Sequence, residues 1–114
     1  MIGGNIELIL KHIKKGSETF DENGKRKVEY ESVAALFGWL DLVSGDSKYD
    51  YKAKIEDSTH VFICDFENIE DTDVENLRAT INGKDYDVKF IDDPMNLHQQ
   101  LEIYLKLTGG QNEN

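Results

Sequence analysis

Residues 77–90 read LRATINGKDYDVKF and carry the clearest fold signal in the sequence. The central Asn82-Gly83 pair favours a type I′ β-turn, because both residues tolerate the positive φ angles that this turn requires. A two-residue loop would place Ala79 opposite Tyr86, so that apolar side chains of both strands share one face. The turn and the hydrophobic pattern agree on one register, and the segment therefore predicts a β-hairpin.

Alternating apolar and polar side chains extend this pattern along the chain. Residues 6–13, 59–66 and 100–107 each alternate with a period of two, which is typical of half-buried strands. Many short strands joined by turn signals indicate a small barrel or a sandwich. We predict a mainly β fold for residues 1–114: a small single-domain antiparallel β-barrel with long inter-strand loops.

Residues 32–43 form the ambiguous element. Ser32 is a suitable helix cap, but Gly38 in the middle and a nearly continuous apolar run favour a strand instead. We predict a strand that is buried on both faces.

Polar segments interrupt and follow the strands. Residues 14–27 contain a second Asn-Gly pair, and a two-residue turn there would place Asp21 opposite Arg26 in a solvated β-arm. Residues 44–58 form a polar, tyrosine-bearing connection, and connections of this length in small domains are commonly functional or disordered. Residues 109–114 are expected to be a flexible tail.

The composition limits the classes of function. The chain has 114 residues, of which 39% are hydrophobic and 32% charged, so it is globular rather than disordered on average. A net charge of -10 argues against sequence-independent binding of nucleic acid and against an anionic membrane surface. One cysteine allows no internal disulfide, and we expect neither a signal segment nor a membrane span. These features indicate a soluble, intracellular or virion protein.

The sequence contains no recognisable catalytic or metal-binding motif. His60 and Cys64 share a strand face, but two ligands are too few for a zinc site. An EF-hand loop beginning at Asp71 fails because Asn76 and Asn82 replace the turn glycine and the bidentate glutamate, which leaves a weak calcium site or a solvated acidic loop. No phosphate-binding glycine loop or nucleophile motif occurs. We therefore expect a protein that is not an enzyme and holds no cofactor or metal.

Short motifs in the long connection and in the second half of the chain occur in a characteristic order. Residues 90–97 read FIDDPMNL and residues 101–103 read LEI, while INGK at 81–84 precedes them and YDYKA occupies 49–53. Their order and spacing, over roughly residues 33–108, resemble the head-tail joining (head closure) proteins of long-tailed siphophages. None of these motifs is catalytic.

The resemblance implies a compact β-barrel subunit that assembles into a ring beneath the portal and its adaptor. In that family the ring closes the DNA channel after packaging and offers the tail a docking surface, and a long loop reaches into the lumen as a plug. By position, that loop is residues 44–58 here. The arm at 14–27 and the acidic residues 67–75 depart from the family pattern, so docking contacts there are not implied. The residues expected in the plug are Asp46, Ser47, Lys48, Tyr49, Asp50, Tyr51, Lys52, Ala53 and Lys54.

We therefore expect a virion structural protein, a head-completion or stopper subunit. The alternative is a tail-completion or adaptor protein of the same connector without a gating role, and an enzyme or small-ligand binder is a less favoured third class. The expected partners are other copies in a ring, the portal and adaptor proteins and the tail-completion protein, but no membrane. DNA would be passing cargo without specific binding, since an acidic wall repels it. The expected location is the head-tail interface of the virion, and the host cytoplasm during assembly.

The charge also bears on self-association. A net charge of -10 opposes contact between identical copies, most strongly at low salt. We predict a monomer, or at most a weak oligomer, in dilute solution.

Overall fold

Eight β-strands make up most of the described chain. The computed structural model describes residues 3–43, 58–69 and 73–108. The strands are β1 (Ile6–Ile13), β2 (Thr19–Phe20), β3 (Arg26–Lys27), β4 (Tyr30–Leu42), β5 (His60–Asp65), β6 (Leu77–Ile81), β7 (Lys84–Asp92) and β8 (Gln100–Leu107). Six of them close into one antiparallel barrel in the order β1-β4-β5-β8-β7-β6, and β2 pairs with β3 in a separate sheet. The predicted mainly β fold with an antiparallel barrel is confirmed.

The interior of the barrel is filled by apolar side chains from all six of its strands. Successive side chains of a strand point to opposite faces, so every second residue enters the core. Small barrels are filled by side chains and leave no passage, and the interior here is a packed core rather than a pore. The buried apolar residues are Leu8, Leu10, Leu36, Phe62, Cys64, Leu77, Ala79, Ile81, Tyr86, Val88, Leu101, Ile103 and Leu105.

The hairpin of β6 and β7 confirms the strongest sequence prediction. Asn82 and Gly83 both have positive φ, at 52° and 80°, as a type I′ turn requires. Ala79 pairs with Tyr86 in the predicted register, and both side chains are buried. The turn and the core therefore fix the same register.

The second Asn-Gly turn differs from the prediction. Phe20 pairs with Arg26, so the strands are shifted by one residue from the predicted Asp21–Arg26 pairing. One oxygen of the Asp21 carboxylate accepts hydrogen bonds from the backbone N–H groups of Asn23 (2.8 Å) and Lys25 (2.9 Å). This side chain organises a longer turn in which Gly24, at φ 81°, takes the left-handed position. The predicted solvated arm is confirmed, but its predicted register is wrong.

Strand β4 is a strand, as predicted, but it is not buried on both faces. Leu36 and Gly38 lie in the barrel interior, whereas the alternate residues Phe37 and Trp39 point outward and stay exposed. A Cβ atom at Gly38 would collide with the carbonyl oxygen of Ile63 and approach Cβ of Cys64 to 2.9 Å, so glycine permits β4 to lie close against β5. A barrel of six strands has one interior, so the alternate side chains of β4 point away from the core.

Candidate interaction surface

The outward side chains of β4 and β5, with their neighbours, form a continuous apolar surface, which we call the apolar outer face. Phe37 is 56% exposed and Trp39 is 53% exposed, values that are high for aromatic side chains on a sheet. The strand pairing places Trp39 beside Ile63. The members of the apolar outer face are Ile9, Ala35, Phe37, Trp39, Val61, Ile63, Phe90 and Tyr104.

Acidic side chains border the apolar outer face. Glu7 lies opposite Phe37 in the β1–β4 pair, Asp41 follows Trp39 on the same side of β4, and Glu102 continues the row across β8. Glu102 in turn lies opposite Asp92 of β7. The same side of the sheet also carries Lys11, two residues after Ile9, and Lys106, two residues after Tyr104. The surface therefore has an apolar centre and a border with charges of both signs.

Asp92 reports on the electrostatics of this border. Partial burial raises the pKa of the Asp92 carboxyl, and the negative charges of Glu102 and Asp93 raise it further. A carboxylate in this position is stabilised by a nearby cation and destabilised by further negative charge.

The outer surface of β6 and β7 has the opposite character. Arg78 donates to Asp87 across the two strands (3.4 Å), and its guanidinium lies 5.2 Å from the centre of the Tyr30 ring. The Thr80 hydroxyl donates to the Asp85 carboxylate (2.8 Å). These outward side chains bind one another, and this side of the barrel needs no partner to satisfy them.

The arm at residues 14–27 extends from the barrel between β1 and β4. Its base is held where the Lys14 backbone N–H donates to the Glu29 carbonyl (2.7 Å) and where the Glu29 N–H donates to Ser17 Oγ (3.0 Å). Phe20 in β2 is 64% exposed. An isolated two-stranded sheet is marginally stable in water, so the arm depends on its anchored base.

The turn between β7 and β8 displays a second set of exposed apolar side chains. Met95 is 87% exposed and Leu97 is also exposed. Met95, Asn96 and His98 all have positive φ (55°, 58° and 57°), a conformation that side-chain-bearing residues adopt at a cost. The Asp93 carboxylate holds the turn by accepting from the His98 backbone N–H (2.9 Å) and by contacting the His98 ring. This is the segment whose motif resembles the head closure proteins.

The predicted plug residues 46–54 lie outside the described residues. The residues on either side of the connection are described. The Val43 backbone N–H donates to the Thr59 carbonyl (3.1 Å). Leu42 and His60 are paired in the adjoining ladder. Both ends of the connection therefore leave the barrel side by side, and the plug itself stays a prediction.

The described residues bring together little that resembles a catalytic or metal site. Cys64 is buried, and burial, followed by the charges of Asp65 and Glu67, raises the pKa of its thiol to about 11. His60 packs edge-on against Tyr86, and burial followed by Lys84 lowers its pKa. Among the described residues, no group of three or more potential ligands could hold a metal ion. In this arrangement Cys64 is a buried thiol and His60 is a partly exposed imidazole.

A cavity of about 470 Å³ opens at the end of the barrel where the segment after β5 crosses it. Its described lining combines His12, Glu67 and Asn68 with apolar side chains. His12 Nδ1 lies 2.6 Å from the Ile13 carbonyl oxygen, so this ring is engaged by the backbone. The described lining includes no Cys, Ser or Thr that could serve as a nucleophile. The described residues form two short 3-10 helices, Val74–Asn76 and Pro94–Asn96, and neither is long and apolar enough to cross a membrane.

Comparison with known proteins gives a likeness of fold. A chain from the virion of a native gene transfer agent particle superimposes with a TM-score of 0.54 at 11% sequence identity. The superposition covers 89% of this chain and 91% of that chain. No protein-family model matches the sequence, and no curated protein matches it. At this identity, the likeness shows that the two chains share a fold.

The sequence analysis did not predict the apolar outer face. Its signal was present in the alternation of Ala35, Phe37 and Trp39 with Leu36 and Gly38, because both series are apolar. A strand with two apolar faces indicates burial on both sides, but it does not tell whether the same chain or another one covers the second face.

Proposed function

We propose that this chain is a structural protein of a phage-like virion. The observation that carries the proposal is the barrel fold, which extends over 89% of the chain in the likeness to the gene transfer agent virion. The apolar outer face supports it independently, because large exposed apolar patches mark sites of protein association. We expect the protein to act by assembly and not by catalysis.

Within such a particle, we propose a place in the head-tail connector. A ring of copies below the portal and its adaptor would close the DNA channel after packaging and offer the tail a docking surface. The motif order over residues 81–103, which resembles the head closure proteins, supports this place. The barrel interior is packed, so a channel must be bounded by several copies together. A wall built from chains of net charge -10 would let DNA pass without adhering.

The proposed plug is the segment of residues 46–54. The residues that flank the connection are described, and the hydrogen bond between Val43 and Thr59 shows that β4 ends beside the start of β5. Steric closure depends on the length and reach of a loop. It requires no particular catalytic or phosphate-binding side chain.

The test is made on particles assembled with altered protein. Residues 46–54 are replaced by a short Gly-Ser link, and a matched control carries a Gly-Ser segment of the original length. If the segment closes the channel by its reach, heads with the short link should package DNA and then lose it before tails attach, while the control retains more of it. Filled heads that stay filled and infectious would contradict the plug, and absence of the chain from purified particles would contradict the virion role itself.

A second candidate, a tail-completion or adaptor protein without gating, is favoured by the turn between β7 and β8. This turn holds Met95 and Leu97 outward on a conformationally restrained backbone, as a docking contact requires. Replacing both residues by serine should then yield filled heads without tails. Heads that empty after loop replacement favour the stopper, whereas full heads that fail to join tails after loop replacement favour the adaptor.

A further inference from the structure

Two Asn-Gly pairs occur in the chain, and their neighbours in the sequence are nearly the same. Residues 22–25 read ENGK and residues 81–84 read INGK. Asparagine followed by glycine is especially prone to spontaneous loss of the side-chain amide, because glycine has no Cβ to shield its backbone nitrogen or to restrict its rotation. The two pairs therefore have similar intrinsic reactivity, and a large difference between them must come from the fold.

The loss of the amide takes place within the dipeptide itself. The glycine nitrogen attacks Cγ of the asparagine side chain, a bond from that nitrogen to Cγ forms, and the bond from Cγ to the amide nitrogen breaks. Ammonia leaves with the proton of the glycine nitrogen. Water then opens the cyclic imide at either carbonyl, which gives aspartate or gives isoaspartate with the main chain running through the side chain. The attack requires that the asparagine rotates about its Cα–C bond until the glycine nitrogen lies next to Cγ.

The barrel holds Asn82 in a conformation that prevents this attack. Asn82 has a φ of 52°, and the first central residue of a type I′ turn has a ψ of about +30°, which directs the following nitrogen away from the side chain. Rotation would break the pairing of Ile81 with Lys84, and Ile81 is buried. The Asp85 carbonyl next to the turn also accepts from the Thr108 backbone N–H (3.1 Å) and hydroxyl (3.0 Å). Opening this turn therefore disturbs the barrel on both sides of β7.

The arm holds Asn23 by local bonds alone. The Gly24 backbone N–H donates to the Asp21 carbonyl (2.9 Å), and the Asp21 carboxylate accepts from the backbone N–H groups of Asn23 (2.8 Å) and Lys25 (2.9 Å). Asn23 and Gly24 are both exposed. While these bonds last, the Gly24 nitrogen is engaged by the Asp21 carbonyl. The reaction at Asn23 therefore depends on how often this turn opens.

The arm can open while the barrel stays folded. Residues 14–27 are all described, and none of their side chains is buried. Strands β2 and β3 pair at two positions, and an isolated two-stranded sheet is marginally stable in water. The ion pair between Arg26 and Glu18 is half exposed, so it adds little. Opening of the arm turn therefore requires much less free energy than opening of the barrel turn.

We propose that Asn23 is a site of spontaneous deamidation in the folded protein, and that the barrel protects Asn82 in its nearly identical sequence. The rate at each site is the rate of the open chain multiplied by the fraction of time that the turn is open. The inference does not depend on the proposed virion role. Aspartate at position 23 adds negative charge beside Asp21. Isoaspartate lengthens the main chain within the turn, which disturbs the pairing of Phe20 with Arg26 and leaves the barrel unchanged.

Peptide mapping of the aged full-length protein tests the proposal. The folded chain is kept in mildly alkaline buffer well below its melting temperature, and samples taken over time are digested with trypsin. Cleavage after lysine and arginine releases residues 16–25 and 79–84, each with a single asparagine. Mass spectrometry measures the gain in mass when water replaces ammonia. Asn23 should convert at least about tenfold faster than Asn82, which corresponds to a difference of about 1.4 kcal/mol or more in opening free energy. Equal rates, or a faster reaction at Asn82, would overturn the proposal.

The same chain unfolded in guanidinium chloride is the matched control. Both turns are then absent, so the two rates should agree within a few-fold, because ENGK and INGK differ in one residue. A tenfold preference for Asn23 that persists in the unfolded chain would overturn the role of the fold. Failure of Asn23 to convert in the folded chain, while the unfolded chain converts it, would overturn the proposal as well.

Two further measurements keep the assignment specific to the arm. Asn23→Gln should remove the gain in mass from residues 16–25 and leave the rate at Asn82 unchanged, since glutamine would have to form a larger ring. The melting temperature of the aged protein should equal that of fresh protein, because the arm lies outside the barrel core. A melting temperature that falls in step with conversion of Asn23 would show that the arm opens only with the core, and would overturn the proposal.

Discussion

The two sides of the barrel wall make different use of their outward positions. On β6 and β7, Arg78 pairs with Asp87 across the strands, and the surface is satisfied within one copy. On β4 and β5, the outward positions hold exposed aromatic and aliphatic side chains such as Phe37 and Trp39. The buried inward residues of both sides are apolar. The interior therefore accounts for the fold on both sides, whereas the two outer surfaces differ in whether polar pairs or exposed apolar side chains occupy them.

We expect the largest effect from a substitution that forces β4, the strand that carries the apolar outer face, away from β5. Gly38→Val places side-chain atoms against the Ile63 carbonyl and the Cys64 side chain, and β4 must separate from β5. We expect a loss above about 3 kcal/mol in the free energy of unfolding, or failure to fold, as for other buried clashes with backbone. Urea unfolding followed by fluorescence of the single tryptophan measures it.

The control is Ala35→Val, an outward position three residues earlier on the same strand. Valine suits an exposed strand position, and the free energy of unfolding should stay within about 0.5 kcal/mol of wild type. Equal stability of Gly38→Val and Ala35→Val would contradict the role of glycine in closing the barrel.

The next prediction compares the loss of stability when the glycine of each Asn-Gly turn is replaced by valine. Gly83 and Gly24 have nearly equal φ angles, 80° and 81°, and neither would meet a neighbouring atom if given a Cβ. Gly83→Val should lower the free energy of unfolding by roughly 1–3 kcal/mol, because the strained turn belongs to the barrel. Gly24→Val should change it by less than about 0.5 kcal/mol, because the arm can open without unfolding the core.

Thermal unfolding of both variants, measured in parallel, decides this comparison. An unchanged melting temperature for Gly83→Val would remove the type I′ hairpin from the account of the fold. An equal, large loss for Gly24→Val would show that the arm is part of the cooperative core.

A smaller effect concerns the pairing on β6 and β7. Arg78→Ala, Asp87→Ala and the double variant should give a coupling energy below about 1 kcal/mol, since the pair is partly exposed and its contact is long at 3.4 Å. A coupling energy above about 2 kcal/mol would contradict this account of the pair.

The smallest effect is a dependence on pH at the acidic border. The pKa of Asp92 is raised in the folded chain by burial and then by Glu102 and Asp93, so the folded state holds this proton to a higher pH than the unfolded state does. The contribution of Asp92 to stability therefore falls as pH rises through the carboxyl range, from the unfolded pKa to the folded one. Asp92→Asn should gain stability relative to wild type over that window, measured as the difference in melting temperature. A difference that shrinks as pH rises would contradict the assigned shift.

Local sequence predicts a turn correctly when packing in the core favours the same strand register as the turn. At Asn82-Gly83, the inward residues Ala79 and Tyr86 lock the register that the turn prefers. At the other Asn-Gly pair, no core selects the register, and the Asp21 carboxylate draws two backbone N–H groups into a longer turn. The side chain that decided the outcome was visible in the sequence, but its competition with a two-residue turn depends on three-dimensional geometry.

Strand positions were predictable, whereas the exposure of their faces was not. The predicted strand 6–13 and the predicted strand 100–107 coincide with β1 and β8, because alternation directly reports a half-buried strand. The run 32–43 is apolar on both sides, and only the closed barrel shows that one side, including Trp39, remains outside. The plug residues 46–54 lie outside the described residues, so that part of the candidate site stays a sequence prediction.

Closure of the barrel has a mechanical consequence. The first barrel strand, β1, is hydrogen-bonded to β4 and β6, and the last, β8, is hydrogen-bonded to β5 and β7. A pulling force on either end of the barrel sequence is thus shared by two ladders that must break together before a strand can leave. Resistance to such a load is governed by the rate of unfolding rather than by equilibrium stability. A chain built in this way can bear tension while its own strands stay in register.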